Sequence, residues 1–461
     1  MMGDPPKQQG QFLYNFNLDD LIPEDHLLRQ IDQVLDLSTL REHLAPFYSH
    51  TGRPSIDPEL MIRMLLIGYC YGIRSERRLC EEVRLNLAYR WFCQLSIEDP
   101  VPDHSSFSKN RHGRFRDSDA LRYVFEQVLQ RCITEGLVGG EGFAIDASII
   151  KADVNRRRRR AGDDDDWGSG GGSRAVREYL QALEASNPAP GKPARRISPT
   201  DPGARYTAAT YGAPHYAYST NYLVDMAAGI IVDVEATPCH RTEEIASTRT
   251  MVERVEKRMG LKPKRLIGDT AYGTAELLAW MVEEKGIEPH MPLWEKSERT
   301  DGTFSRSDFT YEPDSDRYTC PGGKHLYPRR RKFKQLRSLV NQANTIIYRA
   351  STNDCGPCAM KERCCPNTPM RKVPRSVHEA ARDVVRQINQ TPAYQQSRKD
   401  RKKVEMLFGH LKRILKLDRL RLRGLTGAHD EFILAATAQN LRRMAKYLSQ
   451  GPPMMPATVP T

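Results

Sequence analysis

The first thing the sequence lacks is an apolar run of the roughly 20 residues needed to span a bilayer. The opening stretch MMGDPPKQQGQF also has neither the basic start nor the apolar core of a signal peptide. Together these absences predict a cytoplasmic chain without membrane contact. Acid is scarce relative to base: 58 Asp and Glu stand against 70 Lys and Arg, a formal charge of +12. That excess predicts a polyanionic partner, nucleic acid before any other. A membrane surface is the weaker fit, because neither end carries a basic amphipathic anchor. No internal repeat is present, so no repeat architecture is expected. In a reducing compartment the 10 cysteines stay reduced, and clustered ones point to metal before disulfide.

The balance of 28% charged and 39% hydrophobic residues is that of a globular chain with a sizeable core. Residues 1–16 read as a disordered tail and 17–135 as an all-helical domain. Within it, SIDPELMIRMLLIGYCYGI starts with a Ser or Asp cap and Pro58 in the first turn, then repeats apolar residues at helical spacing. RSERRLCEEVRLNLAYRWFCQL reads as a second helix, and PDHSSFSKNRHGRF opens a third, capped by Asp103 or Ser105. Short helices with basic turns suit a helix-turn-helix-like DNA reader. The alternative is a plain bundle whose charges form a solvated face.

A strand signal follows at GFAIDASII, which carries Asp146. Residues 153–205 then read as a disordered, charge-block, glycine-rich linker, with five consecutive arginines at 156–160. YAYSTNYLVDMAAGIIVDVEAT reads as a hairpin turning at Ala228-Gly229. After it come a helix ended by Gly260, a strand PKRLIGD ending on Asp269, a helix from Thr274 to Gly286, and a strand IEPHMPL. This is an α/β sheet built around two acid-bearing strands, spanning 140–294 and completed by 398–448. The polar, Cys- and Arg-rich residues 295–397 read as an inserted subdomain, and 449–461 as a disordered tail.

Asp146 and Asp269 sit in or just after apolar strands, where a carboxylate costs several kcal/mol unless paired or bound to metal. The basic helix RKKVEMLFGHLKRILK adds a third acid, Glu405. Arg401, Glu405 and Lys412 share one stripe of it, beside an apolar face of Val404, Leu407, Phe408, Leu411 and Leu415. Three carboxylates make a hard, all-oxygen site suited to Mg²⁺, and Arg401 and Lys412 are placed to hold phosphates. Taken singly, each acid has a plainer reading. Asp269 caps the turn before TAYG, and Glu405 forms an i,i+4 pair with Arg401 worth about 0.3 kcal/mol.

GFAIDASII, RLIGDTAYG and RKKVEMLFGHLK, in that order, resemble the DDE transposases of bacterial insertion sequences. In the third stretch Arg401, Glu405 and Lys412 match the Arg, Glu and Lys of the family's Tyr-x2-Arg-x3-Glu-x6-Lys signature, while Arg398 stands where it has tyrosine. RLRGL at 421–425 and AQNLRRM also resemble the family's ending. The likeness runs from about residue 15 to 448. It implies an RNase H-like mixed sheet with flanking helices, preceded by the helical domain and interrupted by the Cys-rich insertion. It implies that Asp146, Asp269 and Glu405 are the catalytic, metal-holding triad for Mg²⁺ or Mn²⁺. It also implies binding of double-stranded DNA, both inverted repeats and target, with end cleavage and strand transfer. A homodimer on DNA and a place at the bacterial nucleoid follow. The residues leave open a nuclease without strand transfer and an inactive DNA-binding regulator.

The insertion poses its own question. Cys355 and Cys358 form a Cys-x2-Cys half-site, and Cys320 with Cys364 or Cys365 supplies a less regular second half. A structural Zn²⁺ on Cys320, Cys355, Cys358 and Cys364 is the metal reading; reduced, unliganded thiols are the alternative.

Overall fold

The computed structural model describes residues 17–48, 51, 55–155, 173–186, 196–208, 213–293, 301–328, 338–342 and 344–450. The N-terminal tail, the five-arginine run and the residues after 450 therefore lie outside the described residues. The chain forms two compact units: Met1–Lys262 with Lys402–Thr461, and Pro263–Arg401. Helices lead the sequence, and strands pair both antiparallel and parallel, an α/β chain. No helix among the described residues is long and apolar enough to cross a membrane.

The first unit opens with short helices whose starts follow the expected caps. Asp57 accepts the Leu60 N–H ahead of Pro58–Cys70, and Asp103 accepts the Ser105 N–H ahead of His104–Asn110. Pro58–Cys70 is buried along nearly its whole length. The expected second helix is two, Glu76–Leu85 and Leu87–Phe92. Asn86 between them takes an extended backbone, and its side chain accepts the N–H groups of Ala88 and Tyr89. A residue that caps a new helix more favourably than it continues the old one breaks the run.

Strand β1 is Gly142–Lys151. Arg205–Thr207 (β2) pairs antiparallel with the start of His215–Asp225 (β3). β3 pairs antiparallel with β1 and with Ile230–Pro238 (β4), the hairpin expected from the sequence. Gly229 in its turn has φ +70°, a conformation side chains resist. β3 is buried along all but its first residue, which is why its sequence lacks clean alternation. The helix Arg241–Met259 packs on β3 and β4 and ends at Gly260 as expected. The residues expected as a featureless linker contain the helix Arg174–Ser186. The long C-terminal helix Gly424–Gln450 covers β4 and meets the helices Ala120–Thr134 and Pro58–Cys70.

In the second unit, Arg265–Ile267 (β5) and Glu288–His290 (β6) pair in parallel. Between them run the helical segments Ala275–Ala279 and Trp280–Lys285, stopped by Gly286. The Cys-rich stretch folds around an apolar cluster of Phe309, Tyr318, Leu326, Tyr348, Ala350 and Val373. The Tyr318 and Tyr348 rings meet edge-on with centroids 5.1 Å apart, a favoured aromatic geometry. Buried Glu379 accepts from Arg306 at 2.5 Å and Arg386 at 2.7 Å.

Candidate active site

Asp146 lies midway along β1, half-buried, with Tyr222 of β3 directly across from it. Residues directly opposite in an antiparallel pair project from the same face of the sheet. The Tyr222 ring lies 5.6 Å from the Phe408 ring of the helix Lys402–Arg413. The sheet face that bears Asp146 is therefore the one this helix covers. Val404, Leu407 and Leu411 are buried along its inner side and Leu415 just beyond it, as the apolar spacing predicted. Glu405 stands in the first turn, three residues before Phe408 and about 60° from it around the helix axis. The first unit thus brings the Asp146 strand and the Glu405 helix together. Glu405 is exposed, further into water than its expected place at the edge of the buried face. Asp146 Oδ1 accepts the Ala147 N–H at 2.8 Å.

Lys412 is seven residues past Glu405, about 20° away on the same stripe. It is half-buried, and burial pulls its ammonium below the usual lysine range. Lys151 at the end of β1 adds repulsion, while Asp418 partly offsets both. The chain beyond the helix then returns to β1: the Leu420 N–H donates to the Lys151 carbonyl at 2.8 Å. Arg419 and Arg423 close on the Asp153 carboxylate at 3.0 and 3.1 Å. Nothing local in the sequence announces this clamp, since its members are more than 260 residues apart.

Asp269 and Arg401 belong to the second unit. Asp269 follows β5 and does cap the turn Thr270–Tyr272, accepting the Ala271 N–H at 2.7 Å. Its other oxygen lies 3.8 Å from Arg401 Nη2. Both side chains are partly exposed, at 38% and 29%, so this pair contributes about 0–1 kcal/mol and yields easily to a competing ion. Tyr272 is buried, and Gly273 has the Pro292 carbonyl so close that a Cβ would stand 2.8 Å from it. Arg401 is the C-cap of the helix Pro392–Asp400. The helix expected over Arg401–Lys416 is observed as Lys402–Arg413, starting one residue later and ending three residues earlier. Arg398, at the signature's tyrosine position, is exposed, whereas Tyr394 one turn earlier is buried against His290.

The insertion's thiols do collect. The Cys320 and Cys358 sulfurs both come close to Gly322, 3.7 and 4.0 Å from where its Cβ would be. Cys355 neighbours Cys365 and Cys320, and burial raises its thiol. Burial pushes Cys364 up to about 11, with Cys365 adding to the shift. Among the described residues, no group of three or more His, Cys, Asp or Glu side chains is placed to hold a metal ion. The donor types nonetheless fit the two metals differently: carboxylates on the Asp146 face suit a hard divalent ion, and collected thiols suit zinc.

The N-terminal arginines divide in a way the sequence did not indicate. Arg63, Arg90, Arg111 and Arg122 are buried and bonded within the first unit. Arg122 meets Asp233 at 2.5 Å, Arg111 meets Glu76 at 3.0 Å, and Arg74 pairs with Glu431. These side chains hold the fold and are withdrawn from any nucleic acid.

A family model described as a transposase domain (DUF772) matches residues 16–113, and one described as a transposase DDE domain matches residues 319–445. The second match contains Glu405, Lys412, Arg401 and the clustered cysteines. No curated protein and no solved structure matches the chain. A transposase DDE domain implies use of divalent metal and action on DNA in general.

Proposed function

The two matched domains make this chain a DDE transposase of an insertion element, and from that premise we propose how it acts. It binds the terminal inverted repeats of its element, cuts the ends to leave 3′-hydroxyls, and joins them to target DNA. Its core is RNase H-like, and the N-terminal helices read the ends through their remaining exposed basic residues. Asp146, Asp269 and Glu405 would hold Mg²⁺ (or Mn²⁺), which when bound activates the attacking oxygen and stabilises the leaving one. Lys412 holds a phosphate beside Glu405. Arg401 leaves its weak pairing with Asp269 to do the same. Cys320, Cys355, Cys358 and Cys364 would hold a structural Zn²⁺ that fixes the insertion. Two copies assemble on paired ends, in the bacterial cytoplasm at the nucleoid.

The observation that carries this reading is the packing of the Glu405 helix on the Asp146 face through Phe408 and Tyr222. It supports a shared role for two acids far apart in sequence. The test is incubation of the protein with labelled inverted-repeat ends, a plasmid target and Mg²⁺. Covalent end-to-plasmid products are expected. Products of hydrolysis alone would favour a nuclease, and bound but uncut ends would favour a regulator.

A further inference from the structure

On the flank of the Glu405 helix away from the catalytic stripe, a groove of about 520 Å³ opens toward the C-terminal helix. His410 and Met406 line its near wall, about 140° and 100° around the axis from Glu405. Gln439, Arg442, Arg443 and Lys446 line the other, spaced i, i+3, i+4 and i+7 and so on one stripe of Gly424–Gln450. All of these residues belong to the first unit.

The charge arrangement is the unusual feature. Several other arginines of this unit have carboxylate partners: Arg74 with Glu431, Arg116 with Asp430, Arg122 and Arg254 with Asp233. The groove carries three cations and a histidine, and no acidic side chain lines it among the described residues. Like charges four apart on a helix oppose folding, so the cluster costs stability until an anion fills it. Its members are also set in place. Arg442 Nη1 donates to the Cys70 carbonyl at 3.1 Å. Arg443 extends over the hairpin turn, where a Cβ on Gly229 would lie 2.9 Å from its Nη2. Between the two walls, Gln439 is only 5% exposed and is joined to His410 by a side-chain hydrogen bond. Met406, 75% exposed, gives the rim an apolar contact of the kind a sugar face accepts.

We propose that this groove grips the phosphate backbone of duplex DNA at a place separate from the Asp146 and Glu405 face. The inference rests on the DNA-acting reading above and adds a second hold to it. It gives the Glu405 helix two working flanks, one toward the phosphate being cut and one toward a neighbouring run of backbone. A row of cations along one helix suits a polyanion better than a single small anion, because successive phosphates can meet successive side chains.

The test is duplex binding by the full-length chain, followed by fluorescence anisotropy across a range of salt concentrations. The variant is Arg443→Gln with Lys446→Gln, both exposed, and the control is Lys257→Gln with Lys262→Gln, which removes the same charge elsewhere on the unit. The groove variant is expected to bind at least tenfold more weakly at moderate salt. Its slope of log K against log salt should be shallower by about 2, near 0.9 for each phosphate left without a cation. The control should change affinity about twofold or less. Equal losses in the two variants would overturn the groove while leaving the DNA-acting reading intact. A wild-type chain that binds no duplex at any salt would overturn both. Unchanged DNA binding with lost self-association in sedimentation would assign the groove to a second copy of the chain and overturn the proposal.

Discussion

Glu431 and Arg74 form a buried ion pair across 357 positions of sequence. The other Glu431 oxygen accepts the N–H groups of Arg421 and Leu422, each at 2.6 Å. One carboxylate thus ties the N-terminal helices to the C-terminal helix and to the segment that returns to β1. Removing one partner of such a pair leaves a buried charge uncompensated, at a cost of about 3–5 kcal/mol. Glu431→Ala is therefore expected to lower the denaturation midpoint strongly. Glu431→Gln, which can still accept from the backbone, should cost less. Equal, small effects in urea unfolding would show that the pair contributes little.

Asp201 is fully buried and accepts the Tyr218 hydroxyl at 2.5 Å. Burial pushes its carboxyl up to about 6, partly offset by that hydrogen bond. A folded-state value above the unfolded one means the native state favours the protonated form. Stability from this group is full below about pH 4 and is lost as pH rises through 6, on the order of 2–3 kcal/mol. Asp201→Asn should therefore raise the melting temperature at pH 7.5, and raise it by only about a third as much at pH 4.5. A larger gain at the acid pH would contradict the sign.

The insertion's thiols provide a prediction for metal analysis. With Cys364 up at about 11, Zn²⁺ must displace protons to bind. Purified chain should carry about one zinc per molecule, and reloading a chelated sample should release protons. Cys355→Ser with Cys358→Ser should lose the metal and melt earlier. A metal-free protein that melts at the same temperature with and without added zinc would leave the cysteines as ordinary thiols.

Much of this was readable from local sequence. β1, the β3–β4 hairpin, the helix ended by Gly260 and the buried side of the Glu405 helix follow apolar spacing and glycine stops. The break at Asn86 was not, because the apolar pattern continues smoothly past it. At Asn86 a side-chain cap overrides the apolar period. The helix Arg174–Ser186 was hidden by the charge blocks and glycines that precede it. Asp269 does cap its turn, a role that the sequence offered and that does not exclude metal binding. The arginines deceived most. A basic helix reads alike whether its arginines face DNA or a buried acid, and only the fold brings Glu431 to Arg74 or Asp233 to Arg122.

Arg401 has a prediction tied to its partner. If it neutralises Asp269 before DNA arrives, Arg401→Gln should weaken cleavage and also shift the Mg²⁺ concentration needed for half-maximal cleavage. A phosphate-gripping role alone would weaken cleavage and leave that concentration where it was. Titration of Mg²⁺ against a fixed amount of bound ends separates the two.

We propose that Glu405, on its helix over the Asp146 face, takes part in cutting DNA. The direct measurement is Mg²⁺-dependent cleavage of inverted-repeat ends by Glu405→Gln, beside end binding by the same protein. Because Glu405 is exposed and its helix is held by Val404, Leu407 and Leu411, the substitution should leave fold and binding intact. Binding at wild-type affinity with cleavage reduced at least a thousandfold, about 4 kcal/mol of lost barrier lowering, is the predicted result. Cleavage at the wild-type rate would contradict the account.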